Sequence, residues 1–318
     1  MKNVNQILFL SFASLIGLTA CEGFSLGGDS DGNSSTATGG TGNTAYYPNP
    51  YAPVNTSTAI SGTAASGVVS GNTVTNYSLG SASGNLNPAT KALDFTSSAT
   101  GLSMTTTTPT SSGVIDTWTD GTKTVQASNV VSTSGSSGSK YVREYAYSDS
   151  ATNTSGTLFL GFATDPAHMP TGGTATYTGT SGGLAGTGTT ASATRTGSFT
   201  GTSQVTANFG AGTLNAVLSG TQFFDGFGNA TTSAGVGMDT LSLSGATISG
   251  SSFSGGTLTA SLGGADVTSN LIGTPQTTTT SGNFYGWDNS AGAPEEVAGA
   301  SLVTGSSGIL AGSFIASE

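Results

Sequence analysis

The chain has 318 residues, of which 35% are apolar and only 7% charged, with 50 glycines among them. Length alone admits one large domain or two modest ones. Sixteen acids against six bases give a net charge of −10. Nucleic acid and anionic membrane surfaces are therefore poor partners; a basic patch on a partner protein would suit the field, and solubility alone would also account for the acidity.

The N-terminus reads as a lipoprotein signal over residues 1–20. Lys2 supplies the positive start, and Ile7 to Leu18 is an apolar run of signal length, too short for a bilayer span of about 20 residues. Leu18-Thr19-Ala20-Cys21 then fits a bacterial lipobox, which assigns a diacylglyceryl group to Cys21. It is the only cysteine, so no internal disulfide can form. Lipid chains on Cys21 make the membrane a partner. Glu22, rather than aspartate, follows and favours the outer membrane. Residues 21–55 are Gly/Ser/Thr/Asn-rich and aperiodic, as expected of a flexible tether spanning roughly 30 Å. Tyr46-Tyr47-Pro48-Asn49-Pro50-Tyr51 marks the place where the tether is expected to meet a folded body.

That body is expected to be all-β, because strong helix formers are scarce while Thr, Val, Phe and Tyr recur between glycines. Over residues 56–155, Val68-Val69, Val74–Tyr77, Ala92–Phe95, Val114–Trp118, Thr124–Val131 and Tyr141–Tyr147 are the expected strands of a small β subdomain. Over 156–318 the period-2 signal strengthens. Val205, Ala207 and Phe209, then Leu241 and Leu243, then Leu258, Ala260 and Leu262, then Leu310, Phe314 and Ala316 alternate with small or polar neighbours. Strands of about 8–10 residues joined by short Gly-bearing turns predict an antiparallel barrel of about eight strands, its interior filled by side chains or holding one small ligand. No amphipathic helical run follows the signal.

Three places in this second half resemble one family. His168-Met169-Pro170-Thr171-Gly172-Gly173-Thr174-Ala175-Thr176-Tyr177-Thr178-Gly179 is similar to an MP-x-G-x-A-x-Y-x-G strand of the transferrin-binding protein B β-barrel domain. Phe209-Gly210-Ala211-Gly212-Thr213-Leu214, with Gly220 following, resembles its DFG hairpin, although Asn208 stands in the Asp position. Gly282-Asn283-Phe284-Tyr285-Gly286, Glu295-Glu296-Val297-Ala298-Gly299 and Leu310-Ala311-Gly312-Ser313-Phe314 resemble its closing strands. The resemblance implies an eight-stranded barrel beside a β handle at residues 56–155. It further implies a lipid-anchored outer-membrane surface protein that captures an iron protein, haem or another solute, and it leaves room for an outer-membrane transporter as partner. Transferrin-binding protein B has two such lobes, and this chain has length for one.

Catalytic patterns are weak. Gly179-Thr180-Ser181-Gly182-Gly183 has the nucleophile-elbow spacing but no strand–turn–helix context. Gly186–Ala191 mimics a dinucleotide fingerprint without a following helix. Glu295 and Glu296 are adjacent and would point to opposite faces of a strand. No enzyme and no resident cofactor or metal is expected. His168, the only histidine, is open to two readings: an exposed loop residue, or an axial ligand for a captured haem, since the resemblance includes small haem-binding lobes. Phe223, Phe224 and Phe227 fall in a Gly-rich stretch expected to be a loop between barrel strands, either tucked under the barrel as a plug or exposed as a partner's anchor. The competing function is a structural or adhesive surface lipoprotein without a small-molecule pocket, acting by strand-edge pairing.

Overall fold

The computed structural model describes residues 57–110, 115–128, 141–274, 276–286 and 292–318. The signal segment, Cys21, the tether and the Tyr46–Tyr51 group lie outside the described residues.

Eight strands form the first unit: β1 (Thr58–Ser70), β2 (Thr73–Leu86), β3 (Leu93–Ser97), β4 (Leu102–Thr107), β5 (Ile115–Asp120), β6 (Lys123–Ser128), β7 (Val142–Asp149) and β8 (Thr154–Gly161). They pair antiparallel in the spatial order β4-β3-β2-β1-β8-β7-β6-β5. The sheet curls until β4 and β5 meet through the Asp120 carboxylate, which accepts from Thr105 N–H at 3.1 Å and Thr105 Oγ1 at 2.8 Å. Trp118, Tyr145, Tyr147, Phe95, Leu93, Leu102, Leu158 and Leu160 fill the inside. Each such side chain is worth roughly 1.5–3 kcal/mol on burial. The handle therefore holds as many strands as the barrel beside it.

All six strands expected here form, and two more, β4 and β8, join them. A boundary at 155/156 would cut β8. That strand pairs with β1 on one side and β7 on the other, and its Leu158 and Leu160 belong to the handle core. The handle thus runs through Gly161.

The second unit comprises β9 (Thr174–Thr189), β10 (Ser192–Asn208), β11 (Thr213–Asp225), β12 (Ala230–Thr231), β13 (Thr240–Ser249), β14 (Ser252–Ser254), β15 (Thr257–Leu262), β16 (Ala265–Asp266), β17 (Thr277–Tyr285), β18 (Glu296–Thr304) and β19 (Gly308–Ser317). Antiparallel pairing runs β9-β10-β11-β13-β14-β17-β18-β19 and returns from β19 to β9, an eight-stranded closed ring. Alternation decides which face is dry. On β10, Phe199, Val205 and Ala207 point inward, while Thr194, Thr202, Gln204 and Asn208 face away from the core. Phe253, Phe284, Phe314, Tyr177, Leu214, Leu218 and Leu241 complete the filling. Glycine makes room for these rings. A Cβ at Gly282 would sit 1.9 Å from Phe253 Cζ, and one at Gly183 would sit 2.3 Å from Phe199 Cε1.

Two short helices, absent from the sequence expectation, close one end: α1 (Ser233–Val236) and α2 (Thr268–Ile272), which bury Val236 and Ile272 in the core. Met169 and Phe209 pack against the same core at the end where the chain enters β9. These are the entry end and, where α1 and α2 sit, the far end. The barrel is filled, so of the two interiors expected only the one packed with side chains forms.

Handle and barrel are joined at both ends. Near the far end, β2 pairs with β10 through Thr73↔Thr194, Val74↔Ala193 and Thr75↔Ser192. At the entry end, Glu296, 2% exposed, accepts the N–H groups of Tyr141 at 2.8 Å and Val142 at 3.0 Å. Glu295 accepts from the Tyr141 hydroxyl at 2.9 Å. The two glutamates thus hold Tyr141 at its backbone and at its ring hydroxyl. Thr164 N–H donates to Phe284 O at 2.9 Å, and its hydroxyl donates to Gly286 O at 2.6 Å. Between these joints Thr63 and Ser281 share a hydroxyl–hydroxyl bond of 3.1 Å. One small cavity in the seam, lined by Thr63, Tyr77, Phe159 and Leu302, has a volume of about 10 Å³, room for one water at most.

Candidate functional site

The Phe223–Phe227 stretch is strand for the most part, which corrects the loop expectation. β11 continues to Asp225 and keeps its register with β10 across a bulge between Thr200 and Gly201. The bulge absorbs the extra residue near Gly220, so the glycine does not end the strand. The three phenylalanines part company. Phe223 packs on the barrel core, its ring centroid 6.2 Å from that of Phe199. Phe224 is half-buried opposite Ser198. Phe227 sits on the following turn and is 74% exposed.

That turn is tightly held. The Asp225 carboxylate accepts the N–H groups of Phe227 and Asn229, both at 2.9 Å, and the Asn229 side-chain amide at 3.0 Å. The bonds from Asn229 foremost keep the Asp225 carboxyl below its usual range, so it is charged at neutral pH. From below, Arg195 donates from Nε at 2.9 Å and Nη2 at 2.6 Å to Gly226 O. Arg195 is itself 6% exposed. Burial pulls its guanidinium down from its ordinary value, while Tyr77 and Asp225 hold it up. The handle contributes Asn72, whose side chain donates to Arg195 O at 2.9 Å and whose carbonyl accepts the Arg195 N–H at 3.0 Å. Gly226 has no spare room: a Cβ there would sit 2.3 Å from Arg195 O. The Phe227 turn, β10 and the β1–β2 hairpin therefore form one preorganised platform at the far end.

His168 lies at the opposite, entry end. It closes a 3-10 turn, Pro166–His168, capped by Asp165, whose side chain accepts from Ala167 N at 2.9 Å. The imidazole Nδ1 stands 3.7 Å from Asp165 Oδ2, with the side chain 29% exposed. Met169 packs against the barrel core. Among the described residues no three His, Cys, Asp or Glu side chains group as a metal site. Beside this turn lies an open groove of about 780 Å³, lined by Ile60, Phe95 and Met104 with Asn85, Asp94 and Asp165. His168 is not among its lining residues.

The nucleophile-elbow pattern is the middle of β9, and Ser181 Oγ donates to Thr202 O at 2.8 Å, a ladder position rather than a strained turn. Gly186–Ala191 is the end of β9 and its hairpin to β10. Sequence reasoning missed Asn72 and Arg195. Arg195 carried a signal, as the only basic residue between Met169 and Glu318.

A closed, filled barrel joined along one side to a curled β handle, with the most exposed aromatic among the described residues on a locked turn, defines the class of this molecule. Residues 169–318 match the family described as C-lobe and N-lobe beta barrels of Tf-binding protein B, so the C-terminal half of the chain is a transferrin-binding protein B-like β-barrel. The match begins at Met169, beyond β8, in agreement with the strand pairing. Among solved structures, the chain resembles the isotype 1 transferrin binding protein B from serogroup B Neisseria meningitidis at 15% identity, covering 82% of this chain and 43% of that one, with a TM-score of 0.43. A transferrin binding protein B double mutant from Haemophilus parasuis Hp5 gives 15%, 82%, 44% and 0.43. HpuA from Kingella denitrificans, solved in complex with human haemoglobin, gives 16%, 82%, 87% and 0.37. The chain spans less than half the length of those two transferrin-binding proteins. No curated protein matches the sequence.

Proposed function

We propose that this chain is a lipid-anchored surface protein of the outer membrane that captures a protein ligand in iron or haem acquisition. Cys21 holds it to the membrane, residues 21–55 give it reach, and an outer-membrane transporter receives what it captures. The observation that carries the reading is the contrast between a barrel packed solid and a far end that offers Phe227 on a locked turn. Such a lobe binds on its surface, where buried aromatic anchors dominate affinity. The family name and the haemoglobin complex of a similar structure supply the iron and haem context. Ring closure removes the barrel's strand edges, which weighs against assembly by edge pairing.

Immobilised full-length protein, titrated with human transferrin, human haemoglobin and free haemin, tests the reading. One of the two proteins is expected to bind saturably, and Phe227→Ser weakens it by about tenfold or more, the loss of one hot-spot residue. Free haemin is expected to give the same Soret spectrum with the parent and with His168→Ala, because His168 does not line the open groove beside its turn. Absence of binding to both proteins, or a His168-dependent haem spectrum, would overturn it.

A further inference from the structure

We propose that Tyr46-Tyr47-Pro48-Asn49-Pro50-Tyr51 of this same chain docks in the open groove at the entry end, so that the N-terminal segment folds back on the lobe. Such docking needs no captured ligand and stands apart from the capture reading.

The groove forms where two segments part. From Ser61, β1 has β8 as a second neighbour, whereas Thr58, Ala59 and Ile60 pair with β2 alone. Beyond Gly161 the chain leaves β1 for the barrel: Gly286 N–H donates to Phe162 O at 3.2 Å, and Ala163 bridges to Tyr285. Ala59 and Ile60 therefore face residues 163–166 across a space of about 780 Å³, a volume typical of ligand pockets. Its walls are apolar at Phe95, Met104 and Pro166 and acidic at Asp94 and Asp165. Asp94 accepts from Asn85 N–H at 3.1 Å and Thr106 Oγ1 at 3.0 Å, and Asp165 accepts from Ala167 N at 2.9 Å. A carboxylate offers about four lone-pair sites, so each keeps room for a further donor.

Reach decides the occupant. The described chain begins at Ser57, two residues before Ala59 of the groove wall. Tyr51 lies seven residues before Thr58, at most about 25 Å of extended chain. β1 runs for 13 residues, about 40 Å, from the groove to the hairpin at the far end. Tyr51 thus reaches the groove and not the Phe227 platform. The chemistry also fits. Residues 21–56 hold no Lys, Arg or His, so they offer Asp94 and Asp165 no ion pair. Tyrosine hydroxyls offer charge-assisted hydrogen bonds instead, while the rings cover the apolar wall. Pro48 and Pro50 fix φ, so the segment loses little freedom on docking. Because the occupant belongs to the same chain, its effective concentration is in the mM range, and a weak contact is enough to fill the groove.

Carboxyl footprinting tests this without ligand or membrane. The full-length protein carrying Cys21→Ser is labelled with a carbodiimide and an amine, with and without Tyr46→Ser, Tyr47→Ser and Tyr51→Ser combined. Asp94 and Asp165 are expected to label about fivefold faster in the serine variant, the ratio for a groove filled about four-fifths of the time. Asp266, exposed at the far end, labels equally in both. Equal labelling of Asp94 and Asp165 in the two proteins overturns the docking. A second measurement separates docking from mere nearness. Under mild oxidation, Tyr47→Cys is expected to form a disulfide with Ser83→Cys, an exposed groove position, faster than Ser35→Cys does. Serine at positions 46 and 51 slows that bond. Equal rates from positions 35 and 47, or no effect of the serines, contradict the proposal. Protection of Asp94 and Asp165 that fades on about hundredfold dilution assigns the segment to a second copy and overturns docking within one chain.

Discussion

Glycine explains much at the scale of single residues. Positions 282, 299 and 312 in the closing strands are small where rings and branched side chains press on the backbone: Phe253 covers Gly282 and Gly299, and Leu218 and Leu241 cover Gly312. The spacing that resembles the family thus has a steric cause. A methyl group at Gly282 would have to displace Phe253 from a ring that also contacts Phe284 and Phe314. Gly282→Ala is expected to destabilise the lobe by roughly 1–3 kcal/mol, the usual cost of overpacking, measurable as a lower urea midpoint with unchanged slope. The aromatic cluster was legible as a group but not residue by residue. Phe223 and Phe227 differ in fate because one lies on the strand and the other on the turn, and that depends on a bulge that composition does not reveal.

Strands with clean alternation, such as those carrying Val205 and Ala207 or Leu241 and Leu243, were legible because one of their faces is dry. β4 and β8 were not. β4 offers only Leu102 and Met104 amid threonines, and β8 packs Leu158, Phe159 and Leu160 on both faces, so neither presents a simple period. Barrel strands β9 and β10 run 16 and 17 residues, beyond the expected length, because Thr- and Gly-rich ends continue the ladder towards the handle. Helices of four and five residues are too short for a 3.6-residue period to register. The joints between elements were legible only in part, since Glu295 and Glu296 were visible as a pair while their handle partner Tyr141 was not.

The handle–barrel seam also holds a carboxyl out of water. Glu144 on β7 lies opposite Phe159, on the same side as Val142, and its Oε1 has no hydrogen-bond partner. Burial pushes its carboxyl up from 4.5 to about 7. Between those values the folded protein binds more protons than the unfolded chain, so this group makes stability fall as pH rises from about 4.5 to 7. Glu144→Gln should flatten that slope and raise stability at pH about 8 by roughly 1–2 kcal/mol, a figure reduced for the residue's remaining exposure. Thermal melts across this pH range check it, and a variant that melts lower at every pH would contradict it.

At the scale of the whole molecule, the capture reading needs an anchor as well as a lobe. Cys21→Ser is expected to move the protein from the membrane to the aqueous fraction on detergent phase partitioning. Continued membrane partitioning would sink the lipid anchor. Under the capture reading two opposed ends are open to a ligand: the Phe227 platform, and the groove beside Asp165. Hydrogen exchange of the full-length protein, with and without whichever of human haemoglobin or transferrin binds, separates them directly. Slowed exchange at residues 70–76, 189–195 and 223–231 is the predicted footprint; slowing confined to 58–61, 83–96 and 163–168 would place the ligand at the wrong end and contradict the account.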